Sequence, residues 1–252
     1  FGAIVLVTHE LCIGCKACHA SCPYDARFVH PEGYADKCTF CIHRVKDGDD
    51  PAWKRLSLPA GLFSTELSDF ESEVNQLRTY QGQSDVFIIN DLGTITAMTF
   101  GGGANALVTE MLGDAATISS DFGGNPPYQK MFDISRIVYR YWLSQSNVLF
   151  IIGGKANNTD IFETFRGMAD ALHGYFNTHG PKPLFVVVGR GGPNLVRGMS
   201  TLKDTLDALK VPFRMFGYDS SMSSVVDYAK SIDEWMERGG GKAAIARSMG
   251  IR

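Results

Sequence analysis

The chain has 252 residues, 44% of them hydrophobic and 20% charged, a composition that excludes wholesale disorder. A net charge of -3 and a pI near 6.1 argue against a nucleic-acid footprint, which needs a concentrated basic face. No apolar run nears the roughly 18 residues needed to span a bilayer, and the opening FGAIVLV lacks the basic flank and cleavage site of a secretion signal. The expectation is a soluble, cytoplasmic protein. The first residue is Phe1 rather than Met, as in a piece of a longer chain.

All six cysteines, Cys12, Cys15, Cys18, Cys22, Cys38 and Cys41, precede residue 42, together with His9, His19 and His30. A secreted disulfide framework would spread its cysteines through the fold. Composition thus divides the chain into a cysteine-rich segment, 1–52, and a glycine-rich domain, 53–252. The join over 46–61 is rich in charge, proline and glycine, as a boundary should be. Within the segment, CIGCKACHASCP (12–23) is C-x2-C-x2-C-x3-C-P. Thiolates at that spacing can wrap a loop so that several sulfurs face one iron–sulfur cluster, and the closing proline is the bacterial ferredoxin signature. Zinc is the competing ligand, because Cys38 and Cys41 have the spacing of a zinc knuckle. An orphaned thiol pair is the third reading of those two.

Residues 12–52 resemble the four-cluster ferredoxin-type subunits that wire molybdenum and tungsten oxidoreductases. The resemblance implies a 4Fe-4S cluster held by Cys12, Cys15 and Cys18. Its fourth ligand would come from Cys22, from the Cys38–Cys41 pair or from another chain. Where that family places its next cysteines this chain has Trp53 and Ser57, and the likeness stops after Ala52. One cluster is implied; a second lacks its completing thiolates.

Beyond the join, strands and helices alternate. VFIIN (86–90), TITAMTF (94–100), NVLFIIG (147–153), LFVVVG (184–189) and FRMFG (213–217) are short apolar runs, most of them closed by Gly or Asn, and read as strands. Helical spacing marks 104–112, 126–145, 159–176, 194–210 and 222–238. Strands that are apolar throughout, separated by amphipathic helices, imply a parallel sheet covered on both faces. The predicted fold class is α/β: an open, mostly parallel, flavodoxin-like sheet with helices on both faces, preceded by a small, incomplete ferredoxin-like iron–sulfur segment.

Three glycine-rich loops join a strand to a helix: GGGAN (101–105), GGKANNT (153–159) and GRGGPN (189–194). Such loops converge on the ligand crevice at the carboxyl edge of an open parallel sheet. Their backbone N–H groups and helix N-termini favour anions. Gly101, Gly102, Gly103, Ala104 and Asn105 are the candidates in the first loop. Lys155, Asn157, Asn158 and Thr159 are those in the second, and Arg190, a natural fork for a carboxylate, is that in the third. Asn158 or Thr159 can instead be the helix N-cap, and Lys155 can be a solvated loop lysine. None of the loops carries a dinucleotide or P-loop fingerprint.

These loops, with DFGGNPPYQKMFD (121–133) and VPFRMFGYDSSMSSVV (211–226), make the domain resemble the citrate-binding domain of ATP-citrate lyase. That domain is related to the C-terminal domain of the succinyl-CoA synthetase β-subunit, a CoA-ligase fold. The resemblance implies that residues 153–159 and Arg190 hold the carboxylates of citrate or a similar di- or tricarboxylate. It also implies that GGGAN faces a phosphoryl group in transit. The second loop is one residue shorter than the family's usual form, with Lys155 and Asn158 where small polar and aromatic residues are common. ATP-grasp, phosphohistidine and CoA-binding parts would come from a partner chain in an oligomer, and with them ATP/Mg and CoA. His173 and His179 read as structural or exposed.

Two functions follow. One is a ligase/lyase component that binds citrate or a related acid. The other is an iron–sulfur electron-transfer subunit with a redox partner and the domain as a docking module. A third reading has two unrelated sequences joined, because citrate-lyase chemistry transfers no electrons.

Overall fold

A computed structural model describes residues 8–20, 27–37, 68–79, 81–156, 158–217, 219–238 and 240–251. Cys22, Cys38, Cys41, Asn157, Trp53 and Ser57 lie outside the described residues. The chain forms two compact units, Phe1–Glu66 and Leu67–Arg252.

In the first unit a 3₁₀ turn, His9–Leu11, precedes a one-turn helix α1, Ala17–Ala20, and a hairpin of β1, Arg27–Val29, with β2, Ala35–Lys37. The hairpin is antiparallel, and its turn is closed by the Gly33 N–H on His30 O at 2.8 Å. Gly14 (φ 71°) and Lys16 (φ 60°) both take left-handed backbone, which bends the chain tightly between Cys12 and Cys18. A Cβ at Gly14 would stand 2.8 Å from Gly33 O, so only glycine fits there.

The second unit is built on four parallel strands. These are β4, Ile95–Phe100, β6, Val148–Lys155, β7, Phe185–Gly191, and β8, Phe213–Phe216, in the order β4-β6-β7-β8. Alternation of side chains along a strand divides the core in two. Met98, Leu149, Ile151, Val186 and Val188 face one layer, made by α4, Tyr128–Trp142, α5, Ile161–His179, and α6, Leu195–Ala208. Ile95, Ala97, Val148, Phe150, Ile152 and Val187 face the other, made by α3, Gly102–Leu112, and α7, Met222–Arg238. Both faces of β4, β6 and β7 are covered, which is why those strands are predominantly apolar, while β8 at the edge is partly exposed. The expected α/β class is observed. Among the described residues no helix is long and apolar enough to cross a membrane.

Four features differ from the sequence reading. The run at 86–90 forms β3, Asp85–Ile88, which lies outside the parallel sheet and pairs antiparallel with β5, Ile118–Asp121. β5 itself, ISSD, is polar in sequence yet wholly buried, so hydrophobic patterning passes over it. It runs beside β4 with Thr117 N–H on Ile95 O (3.0 Å) and Phe122 N–H on Thr99 O (2.9 Å). Between those bonds the Ser120 hydroxyl replaces a ladder rung, accepting Thr99 N–H at 3.0 Å and donating to Ala97 O at 2.9 Å. Serine is needed there because a buried backbone N–H and C=O must both be satisfied. Helix α2, Asp69–Gln76, is the third. Ser68 and Glu71 close it with a capping box, and its buried Phe70 meets Trp142 edge-on at 5.5 Å. The fourth is a last helix, α8, Gly241–Met249, whose Ile245 and Met249 join the first core layer.

Candidate functional site: a cationic cleft at the carboxyl edge of the sheet

A cleft of about 600 Å³ opens where β4, β6 and β7 end. Of the sequence-predicted residues, Gly101, Gly103, Ala104, Lys155, Asn158, Thr159 and Arg190 line it. The structure therefore brings all three glycine loops together. Gly102 and Asn105 do not line it. The Asn105 amide oxygen instead accepts the Ser119 hydroxyl (2.9 Å), the Ser120 N–H (3.1 Å) and the Thr109 hydroxyl (3.1 Å), which ties α3 to β5.

Arg190 is the centre of the arrangement. It is 3% exposed, its guanidinium lies over the Phe100 ring at 4.4 Å, and Nη1 donates to Gly154 O at 3.0 Å. Its buried Nε has no hydrogen-bond partner. Burial pulls its pKa down to about 10, while the Asp121 carboxylate works in the opposite sense. The guanidinium fits only because residue 153 is glycine. A Cβ there would overlap Arg190 Nη1 and stand 2.8 Å from Phe100 O. Pairing of β6 with β7 slips between Ile152 and Lys155, which is the stretch that carries Gly154 and its carbonyl.

The carboxylate that acts on Arg190 is already engaged. Asp121 Oδ1 accepts the N–H groups of Gly101 (2.8 Å) and Gly123 (2.9 Å). With its amide nitrogen turned inward, Gln83 also donates to Asp121, at 3.2 and 3.1 Å. No side chain caps α3, whose N-cap is Gly101. A buried cation with an unsatisfied donor beside a helix N-terminus that no side chain caps is an arrangement suited to an anion.

The cap of α5 is neither Asn158 nor Thr159. Asp160 Oδ1 accepts the N–H groups of Phe162 (2.9 Å) and Glu163 (3.3 Å). A carboxylate one residue further on outcompetes both as acceptor, and Asn158 and Thr159 stay on the cleft wall. Gly154 and Ala156, within the expected 153–159 loop, line the cleft too, whereas Gln83, Phe100, Gly123 and Gly124 also line it and were not among the candidate residues. The Gly-Gly turn after β5 carried a signal for two of them; Gln83 carried none. His173 bonds Asn177 at 3.1 Å, and His179 stacks on Tyr175 at 4.4 Å. Both sit toward the far end of α5, with His173 roughly 18 Å along the helix from its cleft-side end.

In the cysteine-rich unit Cys12 Sγ accepts the Ala35 N–H at 3.3 Å, and Cys15 and Cys18 are exposed. Sulfur that receives a backbone N–H is suited to a cluster-bound thiolate, so the chemistry of the donor set fits iron. Among the described residues no three His, Cys, Asp or Glu side chains converge as a metal site.

Residues 65–232 match the family model described as ATP citrate lyase citrate-binding. The chain belongs to this citrate-binding family. One relative, ATP-citrate synthase alpha chain protein 2 of Arabidopsis thaliana, is 27% identical over 183 residues, covering 69% of this chain and 43% of the relative. A solved ATP citrate lyase from Methanothrix soehngenii, in complex with citrate and coenzyme A, superposes with a TM-score of 0.61 at 25% identity. That match covers 71% of this chain and 46% of the other. The chain thus spans less than half the length of these relatives. Residues 2–63 match a second family model, that of a 4Fe-4S dicluster domain. A subunit of the tetrathionate reductase of Salmonella typhimurium is 33% identical over 113 residues, covering 44% of this chain and 45% of the relative.

Proposed function

We propose that the domain binds citrate, or a closely similar di- or tricarboxylate, as one part of an ATP-citrate lyase-like enzyme. The buried, incompletely bonded Arg190 supports this most strongly, because an anion bound beside it satisfies Nε and offsets the cost of its burial. Arg190 grips one carboxylate. Thr159 and Asn158 offer neutral hydrogen bonds to another carboxylate or a hydroxyl, and Lys155 adds charge at the edge. The amides of Gly103 and Ala104, in the first turn of α3, face the phosphoryl group that activates the acid and stabilise its charge through the helix N-terminus. Nucleotide and CoA are brought by an ATP-grasp and CoA-binding partner in a cytoplasmic oligomer. Coenzyme A held by the partner would supply the thiol that displaces phosphate from the activated acid to give a thioester, and carbon–carbon cleavage would follow on the partner's residues. Calorimetric titration of the chain with citrate tests the reading. Saturable 1:1 binding that is lost in Arg190→Met supports it, and absence of citrate binding in the unsubstituted chain overturns it.

The match of residues 2–63 to a dicluster domain favours a second role beside the first. Cys12, Cys15 and Cys18 would hold part of a 4Fe-4S cluster, with Cys22, Cys38 or Cys41 completing it, and the cluster would supply one-electron transfer to a redox partner. Protein purified without oxygen should be brown, with equal iron and sulfide, and Cys15→Ser should bleach it. A colourless, zinc-loaded preparation overturns this role. A tryptic peptide running from Cys41 through Trp53 would establish that both segments belong to one polypeptide; its absence would leave them as two.

A further inference from the structure

Across Lys155 and Arg190 from the cleft lies a second cavity of about 240 Å³. It opens among the ends of β6 and β7, the segment after β8 and the start of α7. Ile152, Met222 and Val225 give it apolar walls, Ser220 adds a hydroxyl, and Lys155 and Arg190 supply its charge. Among the described residues no acidic side chain is in its lining, and the Asp219 carboxylate stands at its rim, beside Gly217. Its volume falls below the ~300–1,000 Å³ of drug-sized pockets, so its occupant has few heavy atoms. The start of α7 borders it, with its first turn already capped: Val225 N–H is bonded to Ser221 O at 3.2 Å, and Ser221 Oγ takes the Ser224 N–H at 3.2 Å. A cavity that is cationic on one side and aliphatic on another recognises an amphipathic anion, not a second arm of a tricarboxylate. A further carboxylate would be desolvated against Ile152 and Val225 at high cost.

We propose that this cavity binds a short aliphatic monocarboxylate. Its carboxylate would meet Arg190 and Lys155, and its hydrocarbon would lie against Ile152, Met222 and Val225. Arg190 lines both cavities, so the aliphatic acid and the tricarboxylate compete for one guanidinium, and the second cavity acts as an inhibitory site. The competition rests on Arg190 being the citrate clamp; binding to the second cavity does not.

The test titrates hexanoate into the full chain, with hexanol as the uncharged control, and repeats the citrate titration at rising hexanoate. Hexanoate should bind at millimolar concentration and hexanol should not. The apparent citrate Kd should rise in proportion to hexanoate. Met222→Trp places an indole in the cavity and should weaken hexanoate at least tenfold while leaving citrate within twofold. Ser220→Trp, in the loop before α7, repeats the measurement without touching the core. Citrate binding with no hexanoate binding overturns this inference. So does equal hexanoate affinity in both tryptophan variants, or hexanol binding as well as hexanoate. Hexanoate binding without competition overturns the shared guanidinium. Loss of citrate binding in the unsubstituted chain would instead overturn the citrate reading alone.

Discussion

Arg190→Met separates what the arginine does for ligand binding from what it does for the fold. Methionine keeps an adaptable side chain over the Phe100 ring and removes the charge. In the ligand-bound protein it deletes one half of a buried charge pair, a loss of about 2–5 kcal/mol, or roughly 30-fold to several thousand-fold in Kd. In the ligand-free protein the balance is different. Burial has drawn the guanidinium down to about 10, a cost of about 3 kcal/mol at ~1.4 kcal/mol per pH unit. Against that, the variant gives up the bond to Gly154 O, worth about 1.5–3 kcal/mol, and the ring contact, about 1 kcal/mol. The contributions nearly cancel, so urea unfolding without citrate should change by no more than about 1 kcal/mol. Calorimetry and unfolding on the same preparations make the comparison. Unchanged citrate affinity would remove Arg190 from the site. A ligand-free loss well above about 3 kcal/mol would show that its charge is already satisfied by the fold and needs no bound anion.

Gly153→Ala should reach the same site without touching the arginine. The new Cβ displaces Nη1, so citrate should weaken at least tenfold while stability falls by about 1–3 kcal/mol; unchanged affinity would mean that the guanidinium's placement is unimportant. Asp160→Ala removes the acceptor of two helix N–H groups and should cost about 1 kcal/mol, read as a Tm lowered by a few degrees. Lys182 donates to Leu143 O, to Ser146 O at 2.5 Å and to Ser144 O at 3.3 Å, and burial, with Lys242 nearby, brings it down to about 8. Between pH 8 and the ordinary lysine value near 10.4 the unfolded chain therefore binds more protons, so this group's destabilising effect is full below pH 8 and fades as pH rises. The unfolding free energy of the unsubstituted chain minus that of Lys182→Met should climb across that interval by at most about 3 kcal/mol. A flat difference would contradict the assignment.

What could be read from sequence follows from what the residues report. β4, β6 and β7 are buried on both faces and announce themselves by unbroken apolar runs, and the glycine loops follow because each strand must turn sharply into a helix. Arg190 stood out as the one cation inside such a loop that also carries a planar fork. β5 was hidden because ISSD satisfies its neighbours with hydroxyls instead of burying apolar groups. β3 was found, but its antiparallel pairing depends on β5 and could not be placed without it. The alternative of a cap at Asn158 or Thr159 lay one or two residues early, since Asn, Thr and Asp are all good caps and only geometry chooses between them. Gln83 and Asp121 meet across 38 positions of sequence, and no local pattern marks such a meeting. Ser68 and Glu71, by contrast, displayed an S-x-x-E signature for α2 that was there to be used.

Asn125 and Asn194 both hold left-handed backbone, at φ 57°, and both reach Asp160. The Asn125 amide oxygen accepts the Asp160 N–H at 3.0 Å, and Asn194 Nδ2 donates to Asp160 Oδ2 at 2.9 Å. The turn after β5, the loop after β6 and the loop after β7 are thereby stitched into one piece. Transplanting the loop after β6 from a relative would cut the stitching on two sides, and transplanting either of the others would cut one of these bonds. An attempt to redirect the domain to another acid has to keep or exchange Asp160 and Asn194 together, because two side chains make that bond, whereas Asn125 holds the backbone N–H of residue 160 whatever side chain stands there.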